Sequence, residues 1–176
     1  MSDTHPFARH LALSAISPAG GEREFAATDS ERAAIVEEFG LVDLRSLAGH
    51  LHLRRSGDLV TIEGRIVAEA VQSCVVSLQP VVERIDQKFT RRLMRGQPAE
   101  PSTVEETIAI GEDDPPDVFA GDSIDIGLVL LEEFALALDP YPRAPGVEFA
   151  VPAEAAADEP ESPFAILKSL GKTDAT

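Results

Sequence analysis

From Leu59 to Met94 the apolar and polar positions alternate with a period of two for long enough to build a sheet. Val60, Ile62, Gly64, Ile66, Ala68 and Ala70 share one parity, and Thr61, Glu63, Arg65, Val67 and Glu69 the other, so one face is apolar and the other mostly charged. That is the pattern of a half-buried antiparallel strand. Ser56-Gly57-Asp58 in front of it suits a turn, and Leu51 and Leu53 before the turn supply a hairpin partner. Past Ala70 the alternation continues through Cys74, Val76 and Leu78 to Pro80, which cannot donate to a ladder and marks a break. Val81, Ile85, Phe89 and Leu93 then hold one parity and Arg84, Asp86, Lys88 and Arg92 the other. The spacing of four between those apolar residues also fits a helix. A strand is preferred, because Val81, Val82 and Ile85 are β-branched and no capping residue opens the segment.

The rest of the chain supplies helices and turns around this stretch. Weak alternation over Phe7, Arg9 and Leu11 predicts a first strand closing the sheet, followed by a loop at Pro18-Ala19-Gly20-Gly21. Thr28 with Glu31 forms a capping box ahead of Arg32 to Phe39, and Gly40 is a natural C′ residue. Ile35 and Phe39, with Ala34 or Val36, would dock this helix. Leu41, Leu44 and Leu47 then lead toward the sheet edge. Gln97 to Ser102 reads as a loop, Val104, Glu106, Ile108 and Ile110 as a further strand, and Gly111 to Asp117 as an acidic surface loop. Asp122-Ser123 can cap the next element, with Asp125 in its first turn. Leu128 to Leu138 then places Leu131, Phe134, Ala135 and Leu138 on one helical face, interrupted by Glu132 and Glu133, and this helix should pack across the sheet. Asp139-Pro140-Tyr141-Pro142-Arg143-Ala144-Pro145 gives it a stiff, extended exit. The expected fold is α+β: one domain over residues 1–146, an antiparallel β-sheet or partly closed barrel with helices packed on it. Residues 147–176 form a flexible acidic segment ending in a short helix, in which Phe164, Leu167 and Leu170 recur at helical spacing as an apolar hook.

Charge changes this picture more than size does. The 176 residues carry a net charge of -16, but residues 101–176 hold 17 acidic and 3 basic side chains, so nearly all the excess lies in the second half. That half should repel nucleic acid and attract a basic partner. Arg84, Lys88, Arg91, Arg92 and Arg95 are the one local basic concentration, and Arg84, Lys88 and Arg92 share a strand face, making them candidates for RNA contact. No aromatic residue interleaves with them on that face, and pairing with nearby carboxylates is the favoured account. Tyr141 sits beside Arg143, packed on the body or offered to a partner.

Reactive chemistry is sparse. Cys74 is the one cysteine, so it forms no internal disulfide, and packing as a small hydrophobe within the strand is its simplest role. His50 and His52 face one way at i, i+2 and can share a metal, but no third ligand is evident and a solvated face is the simpler reading. His5 and His10 near the terminus are given no role. The opening residues have no secretory apolar region, and no run approaches ~18 apolar residues. A cytoplasmic setting with no membrane contact is expected.

The segments Cys74 to Val81, Asp122 to Leu128 with Leu138 to Arg143, and Ser162 to Lys168 together resemble the YceD family, the large ribosomal RNA subunit accumulation proteins, over about residues 8–171. The resemblance implies a bacterial protein, with chloroplast relatives, needed for accumulation or processing of the large-subunit (23S) ribosomal RNA. It transfers no catalytic residue. Many members carry Cys-x-x-Cys where this chain has Cys74-Val75-Val76-Ser77, so a zinc or redox role is not implied here. It directs attention to Asp125, Glu132, Pro140, Pro142 and Arg143, which join Tyr141, Phe164 and Leu167 as partner-binding candidates. The expected function is therefore a non-enzymatic ribosome-biogenesis factor, without cofactor or small-molecule substrate, that binds a large-subunit ribosomal protein or pre-ribosomal RNA. Two alternatives stay open. One is a metal-dependent hydrolase or nuclease acting on precursor RNA, using Asp113, Asp114, Asp117, Asp122 and Asp125. The other is an acidic adaptor unrelated to RNA.

Overall fold

In the computed structural model, which describes residues 5–97 and 115–148, the chain forms β1 (His10–Ala12), a 3-10 turn (Leu13–Ala15), β2 (Gly21–Ala26), α1 (Asp29–Phe39), β3 (Asp43–Ser56), β4 (Leu59–Ser73), β5 (Pro80–Arg95), β6 (Asp117–Phe119), β7 (Ser123–Asp125) and α2 (Ile126–Ala137). The chain divides into two units, Met1–Ala144 and Pro145–Thr176, and the architecture that follows is that of the first.

The 59–94 stretch becomes two antiparallel strands, as its period dictates. Ser56 pairs with Leu59 across a tight turn in which Gly57 takes φ 63°, a value that costs glycine least. β3, β4 and β5 then run side by side, with Leu53 opposite Ile62, Leu47 opposite Ala68 and Ala68 opposite Ile85. Val60, Ile62, Ile66, Ala68 and Ala70 are buried, as are Leu47, Leu51, Leu53, Ile85 and Leu93. A register shift between Leu44 and Ser46 lets Leu44 and Leu47, three apart, both face the core. β5 is a strand, not the rival helix.

α1 carries the capping box read from Thr28 and Glu31, and Gly40 closes it in the left-handed conformation. Ile35 is buried, while Val36 and Phe39 pack partly against the core. α2 lies on the apolar face of the sheet. Leu130 occupies the space over Gly49, where any side chain would collide with it, and the Phe134 ring meets Phe39 edge-on at 5.7 Å. Burying Phe134, Ile126 and Leu130 is worth ~1.5–3 kcal/mol each.

Several expectations are corrected. The sheet is open rather than a barrel: its order is β2-β3-β4-β5-β6, and β1 pairs only with β7 in a separate two-stranded ribbon. It is mixed rather than purely antiparallel, because β6 runs parallel to β5. Gly21–Ala26, whose start falls in the expected loop, is an edge strand, hidden in the sequence because Phe25 is its one large apolar residue. Cys74 to Gln79 is a tight turn, not a continuation of the strand: Leu78 N–H donates to the Cys74 carbonyl (3.0 Å) and Cys74 N–H to the Gln79 carbonyl (2.8 Å). Ser123 belongs to β7, so Asp125 caps α2 in place of Asp122-Ser123. The buried face of α2 includes Ile126, Val129 and Leu130 beside Leu131 and Phe134, while Ala135 is exposed and Leu138 only partly covered. The strand read at Val104 to Ile110 and the segment from residue 149 onward, with Phe164 and Leu167, lie outside the described residues. No described helix is long and apolar enough to cross a membrane.

Candidate functional site

The start of α2 is locked into the fold. Asp125 Oδ1 accepts from the N–H groups of Arg9 (2.8 Å), Gly127 (3.0 Å) and Leu128 (3.3 Å). Its Oδ2 lies 2.8 Å from His5 Nε2. Phe7 N–H donates to His5 Nδ1 (3.3 Å), so Nε2 carries the proton that reaches the carboxylate. Burial pushes the Asp125 carboxyl upward, but these donors outweigh it and hold the group below its ordinary value. The N-terminal strap passes so close that a Cβ on Gly127 would strike the Phe7 carbonyl, and Phe7 is fully buried. Arg9 then reaches α1 through a two-pronged pair with Glu31 (2.7 and 2.9 Å).

Glu132 is engaged as well. It pairs with Arg91, whose guanidinium also lies 3.5 Å from Asp117 and 3.6 Å from Glu133, tying α2, β5 and β6 together. Glu133 is buried, and burial raises its pKa against the opposing pull of Arg91.

The exit of α2 is built differently: its backbone is pinned and its side chains are displayed. Gln72 Nε2 donates to the Asp139 carbonyl (3.1 Å), and Asp139 N–H donates to Glu83 (3.2 Å). Val75 N–H donates to the Pro142 carbonyl (2.9 Å), and Ala144 N–H to Cys74 Sγ (3.3 Å). Asp139 Oδ1 turns the chain by accepting from Tyr141 N–H (2.9 Å). Pro142 is wedged inward, while Pro140, Tyr141 and Arg143 are exposed. Thus Cys74–Gln79 and Asp139–Ala144, far apart in sequence, form one junction.

The turn half of the junction is unusual in two ways. Leu78 takes φ 61°, a conformation costly for a branched side chain, yet it is 77% exposed. Tyr141 is 71% exposed and Val75 47%, so an aromatic ring and two aliphatic side chains stand in water beside a cation. Beneath them, Cys74 Sγ accepts from Ser77 N–H (3.4 Å) and Ala144 N–H. The Ser77 side chain, followed by these backbone donors, brings the thiol pKa down to about 6. No solvent reaches the sulfur, but it lies under a single turn, and the donors outweigh its desolvation.

Arg84, Lys88 and Arg92 do share the open face of the sheet, but the row is interleaved with acids. Arg84 donates to Glu69, which also takes Arg45, and Asp86 takes Arg65 in a two-pronged pair. Lys88 lines a shallow trough on that face. The carboxylates considered for hydrolysis are dispersed: Asp117 faces Arg91, Asp122 pairs with Arg95 and Asp125 caps α2, while Asp113 and Asp114 lie outside the described residues. Leu78 was not legible as a surface residue, because Cys74, Val76 and Leu78 keep a strand's alternation.

Residues 62–171 match the family described as "Large ribosomal RNA subunit accumulation protein YceD", a span that opens within β4 and takes in both halves of the junction. No match was found among curated proteins or among solved structures. The match covers well over half of the sequence, and the chain therefore belongs to the YceD family.

Proposed function

We propose that this protein is a non-enzymatic ribosome-biogenesis factor that supports large-subunit ribosomal RNA accumulation by holding a basic protein of the large subunit at the exit of α2. The family membership supports the biological setting. The observation that carries the binding role is the junction: four backbone contacts fix Asp139 to Ala144 while Tyr141, Arg143, Leu78 and Val75 face solvent. A surface held in place before binding loses little entropy on docking, and Tyr and Arg are the side chains most often dominant in interfaces. The acidic excess of residues 101–176 steers a basic partner toward it. Direct RNA contact through Arg84, Lys88 and Arg92 is less favoured, because Glu69 and Asp86 stand among them and offset their field.

The test is affinity purification of the full chain from cells, with mass spectrometry and RNA sequencing of what is retained. The expected result is a basic large-subunit protein, recovered at low salt, diminished at high salt and lost from a Tyr141→Ala/Arg143→Ala variant. Recovery of pre-ribosomal RNA alone, lost on Arg84→Glu/Lys88→Glu substitution, would transfer the role to the sheet face. Absence of any ribosomal component at low salt would remove the basis of both.

A further inference from the structure

Away from the junction, the open face of the sheet brings together side chains that the sequence keeps apart. His50 and His52 both project from this face of β3 and are exposed. The register sets Glu24 of β2 directly opposite His50 and Glu22 opposite His52, and on the other side Glu63 of β4 opposite His52. Directly opposed residues hold their Cβ atoms ~4.5–5.5 Å apart, and residues i, i+2 on a strand lie ~6.5–7 Å apart. Two imidazoles and a carboxylate on that lattice can reach a common point with metal bonds of ~2.0–2.2 Å.

The surroundings are mixed in charge: Arg23, Arg65 and Lys88 stand near the three carboxylates Glu22, Glu24 and Glu63. These side chains line one trough of about 920 Å³ on the sheet, wide enough for an ion and its waters. Glu24 Oε2 already lies 3.7 Å from His50 Nδ1. Of these cations Arg65, across from His50, is drawn toward β5 by its two-pronged pair with Asp86. Among the described residues no three His, Cys, Asp or Glu side chains stand ready-made around one point, so the site forms by rotation of exposed side chains on fixed backbone positions. His52 lies against Gly20, which has no side chain to obstruct that rotation.

We propose that His50, His52 and Glu24 bind a divalent transition-metal ion of the zinc, cobalt or nickel class on the open face of the sheet, with Glu22 and Glu63 supplying further negative charge. Three protein ligands leave a coordination position for water or for a donor from another molecule. Imidazole and carboxylate ligands select this class over calcium or magnesium, which prefer all-oxygen shells. The site is independent of the α2 exit and of the partner proposed there.

The experiment titrates cobalt(II) and zinc(II) into the full-length, untagged chain by absorption spectroscopy and calorimetry. Wild type is expected to bind one ion at this site, with no thiolate charge-transfer band. The His50→Gln/His52→Gln variant is expected to bind more weakly by at least the roughly 10–100-fold that loss of an outer-shell partner costs, with its metal-free melting temperature unchanged. Glu24→Gln should weaken binding less than the double variant, since the imidazoles remain. A Cys74→Ser variant and a His5→Gln/His10→Gln variant should bind as wild type does. Equal affinity of wild type and the His50→Gln/His52→Gln variant would overturn the proposal. So would loss of binding in the Cys74 or His5/His10 variants, or no saturable binding by wild type.

Discussion

The two ends of α2 are made of similar material and serve opposite ends. Each has an Asp that organises the local backbone, each lies against a turn or strap from elsewhere in the chain, and each falls within the span that matches the family. At the start, Asp125 spends its carboxylate on Arg9, Gly127, Leu128 and His5, and the strap around Phe7 closes over it. At the exit, the fixed groups are backbone atoms, and Tyr141 and Arg143 are left in water. A polar residue within the matched span is thus a constituent of the fold when its bonding capacity is filled internally, and a candidate contact when it is held in place but unfilled.

This contrast can be broken experimentally, beginning with the packing that both ends share. Phe134→Ala, at a fully buried position against Phe39, should lower unfolding free energy by about 3–5 kcal/mol in urea titrations followed by circular dichroism. Asp125→Ala removes the cap of α2 and the tether of the strap. A loss of about 1–2 kcal/mol is expected, with faster amide exchange at residues 5–12. If Asp125→Ala instead left stability unchanged and abolished partner capture, the start of α2 would be part of the binding surface.

Next comes pH. With Cys74 held at about 6 against an ordinary thiol value of 9.0, the unfolded chain binds more protons between those limits. The thiolate's contribution to stability is therefore full above the unfolded value and is lost as pH falls toward the folded one. Ser77→Ala, which removes the largest cause of the shift, should flatten this dependence and raise the pKa read from thiolate absorbance. A Ser77→Ala variant with an unchanged Cys74 titration would show that the hydroxyl does not set the thiol.

The smallest effects on stability are expected at the exit surface. Leu78→Gly relieves a left-handed conformation worth ~1–2 kcal/mol, offset by ~0.5–1 kcal/mol of added chain flexibility, so net stabilisation of up to about 1.5 kcal/mol should appear in the melting curve. Partner capture should weaken at the same time. Tyr141→Ala should change stability by no more than about 0.5 kcal/mol while reducing partner recovery several-fold. A large drop in melting temperature from Tyr141→Ala would make the exit part of the core and erase the distinction between the two ends.

The alternation over Val60 to Ala70 and the capping box at Thr28 were legible because they depend on neighbours within a few residues: the pleat repeats every two residues, and a cap bonds three positions along. The chain could also be read as an α+β body with a helix laid across a sheet, since LVLLEEFALAL has nowhere else to bury its surface. The same locality explains what stayed hidden. Cys74, Val76 and Leu78 keep a strand's alternation, yet the chain turns there, with Pro142 and Ala144 bonded to Val75 and Cys74 from nearly 70 residues away. Which carboxylates are consumed and which residues remain on display was likewise decided only by tertiary structure. A side chain's free valence depends on what the rest of the chain brings beside it, and that information is carried by no single segment.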